Sequence, residues 1–330
     1  MGVTVRELAA AAGVSPSTVS RVFTAPDQVK EPTRRRVLET AERLGYAPDP
    51  AARPLRSGTR TETLGLIVPD IANPFFPPIV KAMQARARQQ GYTVLVADSD
   101  EREADELETI EAISKKVDGL ILWASTLPAS RLRELAAELP LVLVNRQVPG
   151  IPEVHISLTA GTNQAAEHLR ALGHQRCVFV NCSQPEHSRG KSIREAFDAH
   201  DLSMVELGPY EPRFETGVHA ATLVVAHQAT AVIAHNDLVA LGVLHQLANL
   251  GIEVPRQVSV IGIDDTLLAT TSTPALSTIR ISPHQVATHA TDLLVETITA
   301  PATDRTTGAK VVEIGSRFIP RASTGPAVTG

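Results

Sequence analysis

Two groups of side chains in this 330-residue sequence have the types and spacing to do chemistry. The first is Ser15-Pro16-Ser17-Thr18-Val19-Ser20-Arg21 near the N-terminus, where Ser17 and Arg21 stand four apart and share one helical face. Hydroxyls and a guanidinium on one face can donate to anionic oxygens or to base edges, as the second helix of a helix-turn-helix does in a major groove. Taken alone, they also fit a helical hairpin with a solvated face. The second group is spread along the chain: Asp70, Ser125, Asn145, Asn236 and Asp264 each closely follow an apolar stretch of strand length. Parallel sheets bind ligands beyond the carboxyl ends of their strands. Carboxylates accept from hydroxyls and amides both accept and donate, so the set suits a neutral, polyhydroxylated molecule. Phe75, Phe76, Trp123 and Tyr210 can add flat apolar faces. Singly, such residues are as well explained as helix caps, Asp237 and Asp265 especially; as a set they point to a ligand.

The elements that must position these groups are legible from periodicity. Val5, Leu8, Ala9 and Ala12 make one apolar helical face, and Gly13 supplies the permissive backbone of a sharp turn. Ser15 caps a second helix with Pro16 at its first position, its inner face Val19, Val22 and Phe23. A third helix spans Thr33 to Leu44, with Val37, Leu38, Ala41 and Leu44 inward and Gly45 as its cap. A Pro/Gly-punctuated connector follows, and then apolar strands alternate with amphipathic helices. One set of strands is Leu64–Val68, Thr93–Ala97, Gly119–Trp123 and Leu141–Val144. The other is Cys177–Val180, Val205–Leu207, Ala231–Ala234 and Ser259–Ile263. A late helix, Val286 to Ile298, and a strand at Val311–Ile314 return to the first set. The fold class is α/β, a three-helix head followed by two doubly wound parallel-sheet subdomains.

Composition narrows the function. The net charge is −5, yet residues 1–60 carry +4 and the remainder −9, a basic head on an acidic body, so only the head is suited to phosphates. No apolar run is long enough for a membrane span and no secretory leader is present, so a cytoplasmic protein is expected. Cys177 and Cys182, five apart in strand-like sequence, read as buried thiols on opposite faces, forming neither disulfide nor metal site. There is no P-loop, no G-x-G-x-x-G fingerprint, no G-x-S-x-G elbow and no metal-ligand spacing, so no enzyme, cofactor or metal is expected.

The string A-A-G-V-S-P-S-T-V-S-R-V, followed by L-G-Y-A-P-x-P-A-A-R-x-L-R, resembles the lactose/galactose repressor (LacI/GalR) family of bacterial transcriptional regulators. The resemblance continues through L-G-L-I-V-P-D-I-A-N-P-F-F (64–76), V-D-G-L-I-L (117–122), N-D-L-V-A-L-G (236–242) and V-P-R-Q-V-S-V-I-G-I-D-D (254–265), in family order over residues 3–323. It implies a helix-turn-helix domain (1–48), a hinge (49–61) and a periplasmic-binding-protein-like core (62–330). The core's N-subdomain would take 62–158 and 284–320, and its C-subdomain 159–283. It implies a homodimeric repressor on a palindromic operator, controlled by a sugar-like effector; the alternatives are a purine- or nucleoside-responsive regulator, or a ligand-binding protein with a weak DNA-binding head. Matching positions would place Pro16, Ser17 and Arg21 at base edges and Thr4, Ser15, Thr18, Ser20 and Thr33 at phosphates, with Leu55 wedged into the minor groove. Asp70, Phe75, Phe76, Ser125, Asn145, Arg189, Asn236 and Asp264 would line the effector site, and Tyr210 matches more loosely.

This chain departs from the family in its hinge and in its core, where Ser192 replaces the glycine usual three residues after Arg189. Pro54 stands in the hinge helix where a small polar residue is usual, and an interior proline costs ~3 kcal/mol, so a shortened or kinked hinge is expected. Ser157-Leu158 replaces the usual Asp-Asn and Asn145 stands where Asp is frequent, removing acidic groups from the customary sugar contacts.

Overall fold

The computed structural model describes residues 4–16, 18–19, 22, 29–44, 46, 60–182, 188–300 and 309–328. The chain divides into two compact units, Met1–Thr59 and Arg60–Gly330.

In the first unit the helix Val5–Ala12 begins at Thr4, whose hydroxyl accepts from the Glu7 amide while the Glu7 carboxylate accepts from the Thr4 amide. This reciprocal box pairs two N–H groups that the first turn would otherwise leave open. Gly13 ends the helix at φ +63°, the left-handed conformation its lack of Cβ permits. Ser15 then caps the next turn, its Oγ accepting from the Thr18 amide at 3.1 Å, and Pro16, Thr18, Val19 and Val22 are helical. The third helix runs Glu31–Leu44. Leu8, Ala9, Ala12, Val19, Val22, Val37 and Ala41 form the unit's core. Two expected inward residues are corrected. Leu38 is 44% exposed because it lies one residue, about 100°, off the 37/40/41 stripe, and Leu44, the helix's last residue, stays 37% exposed. Phe23, Gly45 and the connector with Pro54 and Leu55 lie outside the described residues.

The second unit holds two six-stranded sheets. The first comprises β1 Thr63–Val68, β2 Thr93–Asp98, β3 Gly119–Trp123, β4 Leu141–Val144, β5 Glu153–Ile156 and β11 Val311–Ile314, all parallel, in the order β11-β5-β4-β3-β1-β2. The second comprises β6 Arg176–Val180, β7 Ser203–Leu207, β8 Ala231–Ala234, β9 Ser259–Asp264, β10 Ser277–Ile281 and β12 Ser316–Ile319, in the order β12-β10-β9-β8-β6-β7. Only β12 runs antiparallel to its neighbour. Near-continuous Val, Ile, Leu and Ala in β1, β3, β4, β8 and β9 are buried, as strands covered on both faces require. The late helix is Pro283–Thr299, and it packs with β11 on the first lobe.

Strands β5, β10 and β12 were not expected from the sequence. Glu-Val-His-Ile, Ser-Thr-Ile-Arg-Ile and Ser-Arg-Phe-Ile interleave polar residues, and long-range pairing holds them where their own hydrophobicity would not. The pairing of β12 with β10 also corrects the expected lobe boundary: the chain leaves the first lobe after Ile314, and 316–319 belong to the second sheet. One apolar cluster, from Leu64 and Phe76 to Phe179 and Ile279, runs through both lobes.

Candidate functional site

In the first unit, Ser15, Thr18 and Thr33 line one shallow concavity together with Lys30 and Arg36. Three hydroxyls beside two cations suit a phosphate oxygen. Sequence reasoning had singled out the hydroxyls and missed Lys30 and Arg36, whose only signal was the net charge of the head. Pro16 is exposed, while the Thr4 hydroxyl is engaged in its capping box. Ser17, Ser20 and Arg21 lie outside the described residues, as does Leu55.

In the second unit a cavity of about 330 Å³ opens between the carboxyl ends of the two sheets. Phe75, Phe76, Asn145, Arg189, Tyr210, Asn236 and Asp264, all expected at the site, converge on it. Phe75 and Phe76 sit in the turn that opens the helix Phe76–Gln89, and with Trp123 at the end of β3 they form a mutual edge-to-face cluster with centroids 5.4–5.7 Å apart. Such a cluster lines one side of the cavity with apolar ring surface. Asn145 follows β4 at φ +57°, and its Oδ1 is buried without a hydrogen-bond partner.

On the second lobe the Arg189 guanidinium donates to the His235 carbonyl at 2.5 Å and to Asp264 Oδ1 at 3.3 Å. Burial pushes the Asp264 carboxyl up to about 7, against the opposing pull of Arg189, and Asp237 adds to the rise. Asp264 ends β9 at φ +117°, a conformation L-residues rarely adopt. Asn236 caps the helix Asp237–Asn249 by accepting from the Val239 amide at 2.8 Å, so it is a cap and a cavity residue at once.

Asp70 and Ser125 are not brought into the cavity wall. Asp70 accepts from the Ala72 amide at 2.8 Å and Ser125 Oγ from the Leu127 amide at 3.3 Å, each closing its own loop. Ala124, at φ +46°, turns the chain so that Ala124 and Thr126 face the cavity instead. Asp237 and Asp265 are structural. The first accepts from the Thr266 amide and from the Thr266 and Thr278 hydroxyls, and the second pairs with Arg280 and Arg321. Cys182 lies beyond β6, not within it, and is half-buried at the cavity, its Sγ donating to the Glu211 carbonyl at 3.5 Å. Burial pushes both thiols up to about 12, which favours their protonated form at neutral pH.

Cavity residues that sequence reasoning missed are Asn73, Ser99, Glu101, Glu106, Thr126, Glu211 and His235. Most follow a strand end by one to a few residues, so a wider window would have reached them. Glu106 gives no such signal, because it stands in the helix Glu103–Ile113 and looks like a surface glutamate. Burial pushes Glu101 up to about 7, helped by Asp70 and Glu211 and opposed by Arg213. No cluster of three or more His, Cys, Asp or Glu is placed to hold a metal ion among the described residues. No helix among them is long and apolar enough to cross a membrane.

Residues 4–49 match the family described as bacterial regulatory proteins, lacI family, and residues 166–324 match a periplasmic binding protein-like domain. The chain is 30% identical over 338 residues to catabolite control protein A of Priestia megaterium, covering 98% of this chain and 100% of that protein. It is 32% identical over 306 residues to the HTH-type transcriptional repressor CytR of Escherichia coli, covering 89% of each. Its structure is similar to that of a complex of the transcriptional regulator CelR with cellobiose, at 26% identity and a TM-score of 0.68, over 97% of this chain and 99% of that one. These relatives are regulators and not enzymes. The chain belongs to the lacI family of bacterial regulatory proteins.

Proposed function

We propose that this transcriptional regulator acts in the cytoplasm as a homodimer that represses from a palindromic operator, under the control of a sugar-like effector. The convergence of Arg189, Asp264, Asn145 and Asn236 on one cavity walled by Phe75, Phe76 and Trp123 carries this reading. Polar groups that accept and donate, set against a flat apolar face, suit a molecule with hydroxyls on its rim and C–H bonds on its face. The similarity to the CelR–cellobiose complex supports it. Effector in the cleft bridges both lobes and so favours the closed arrangement, a two-state bias that the dimer passes to its DNA-contact units. In the DNA-contact unit Pro16, Ser17 and Arg21 read bases, while Thr4, Ser15, Thr18, Ser20 and Thr33 position the phosphates and Leu55 enters the minor groove. Tyr210, a residue 40% exposed that lines the cavity, favours a purine or nucleoside as the second reading.

The test is selection of operator DNA by the full chain from a random duplex pool, repeated with mixed sugars and with mixed nucleosides. Enrichment of a palindrome that sugars abolish or strengthen is the expected result. A response to nucleosides alone selects the second reading, and no enrichment under any condition rejects operator binding.

A further inference from the structure

We propose that the effector is an unphosphorylated sugar-like molecule bearing a protonated amine, which seats against Glu106 and Glu101; this rests on the sugar reading above. Four carboxylates line the cavity, Glu101, Glu106, Glu211 and Asp264, against one arginine, Arg189, among the described residues. Arg189 is committed to Asp264 and to the His235 carbonyl. Arg213, nearby, lies 3.3 Å from Glu211 and 3.6 Å from Asp100. Arg146 follows Asn145, donates to the Leu127 carbonyl at 3.5 Å, leaves its buried Nε without a partner, and is not part of the cavity wall. The helix N-terminus at Asp237 already has its cap in Asn236. Among the described residues the cavity wall therefore offers no uncommitted arginine or lysine for a phosphate, whose recognition relies on Arg or Lys forks.

The first-lobe wall has the opposite surplus. Glu106 is only 3% exposed, and one of its oxygens accepts from the Thr126 amide at 2.9 Å and from the Thr126 hydroxyl at 2.8 Å. Both donors are neutral, and the other oxygen takes no hydrogen bond among the described residues. A buried carboxylate without a cation is costly, and a cation delivered by the ligand offsets that cost. Glu101 lies in the field of Asp70, Glu211 and Asp100, with Arg213 opposing them. Asn145 Oδ1 is a third acceptor, buried and unpartnered. An ammonium has three donors and no acceptor, the complement of this wall, and the neighbouring rings of Phe75, Phe76 and Trp123 favour a cation further.

The test is calorimetric titration of the full chain at neutral pH with matched series of hexoses, pentoses and disaccharides, each as parent, aminated and phosphorylated form. The tightest binder is expected in an aminated series, about ten-fold above its hydroxyl parent. Glu106→Gln is expected to erase that margin, and Glu101→Gln to reduce it if the buried change prevents folding. A parent sugar or a phosphate that binds as tightly as the amine overturns the proposal. If no series binds while the chain still selects an operator, the sugar reading fails and takes this proposal with it.

Discussion

The head and the core of this chain both hold polar groups in fixed positions, but with interactions of different range. In the head, Thr4 pairs with Glu7 and Ser15 with Thr18, each three residues away. In the core, Arg189 meets Asp264 across 75 residues and Asp237 meets Thr278 across 41. Local pairs are exposed and compete with water, so each contributes little; the distant pairs are buried, and breaking one strands a charge. Function follows the same division, with a presenting surface in the head and a responsive cavity in the core.

The comparison is broken most severely at Arg189. Arg189→Ala leaves Asp264 buried without its cation, and a loss of about 3–5 kcal/mol in urea unfolding at alkaline pH is expected. The loss shrinks in acid, where Asp264 is protonated. For the native chain the sign follows from Asp264 being raised from 3.8 to about 7 in the folded state. The folded form holds that proton more tightly, so its stabilising effect is full below 3.8 and is lost as pH rises through about 7. Asp264→Asn is expected to flatten this part of the stability profile; an unchanged slope would show that other groups set it.

Gly242 sharpens the comparison without any charge. The helices Phe214–Ala226 and Asp237–Asn249 meet at Gly217 and Gly242, and a Cβ at Gly242 would lie 2.0 Å from the Phe214 carbonyl oxygen. Backbone cannot yield as a side chain does, so Gly242→Ala is expected to cost about 3 kcal/mol, read as a lowered melting temperature. In the connector, Pro54→Ser is expected to tighten operator binding, by at most ~3 kcal/mol. Equal affinity in a mobility-shift titration would sink the idea that this proline weakens the hinge. Smallest is Thr4→Ala, which removes the capping box for about 1 kcal/mol. A loss at Thr4 as large as that at Arg189 would erase the distinction between the two regions.

Legibility in the sequence divided along the same line. The turn at Gly13, the cap at Ser15 and strands β1, β3, β4 and β8 follow from a few adjacent residues and were read correctly or nearly so. Leu38 was misplaced because neighbouring apolar residues on a helix look alike until the partner helix selects a stripe. Strands β5, β10 and β12 were missed because polar residues interrupt them and only distant neighbours complete their ladders. In the cavity, the strand-end rule found Asn145, Asn236 and Asp264, yet it also brought in Asp70 and Ser125, whose side chains fold back onto their own loops.

By itself the sequence determined the family, the helix-turn-helix spacing, the alternation of strands and helices and the basic sign of the head. Each of these is written in short-range pattern or in residue type. Only the tertiary structure decided that Arg189 is spent on Asp264, that Glu106 is buried at the cavity, and that β12 crosses to the second sheet. Those outcomes depend on which distant groups meet and on how much water is removed between them, and neither quantity is carried by any local stretch of chain.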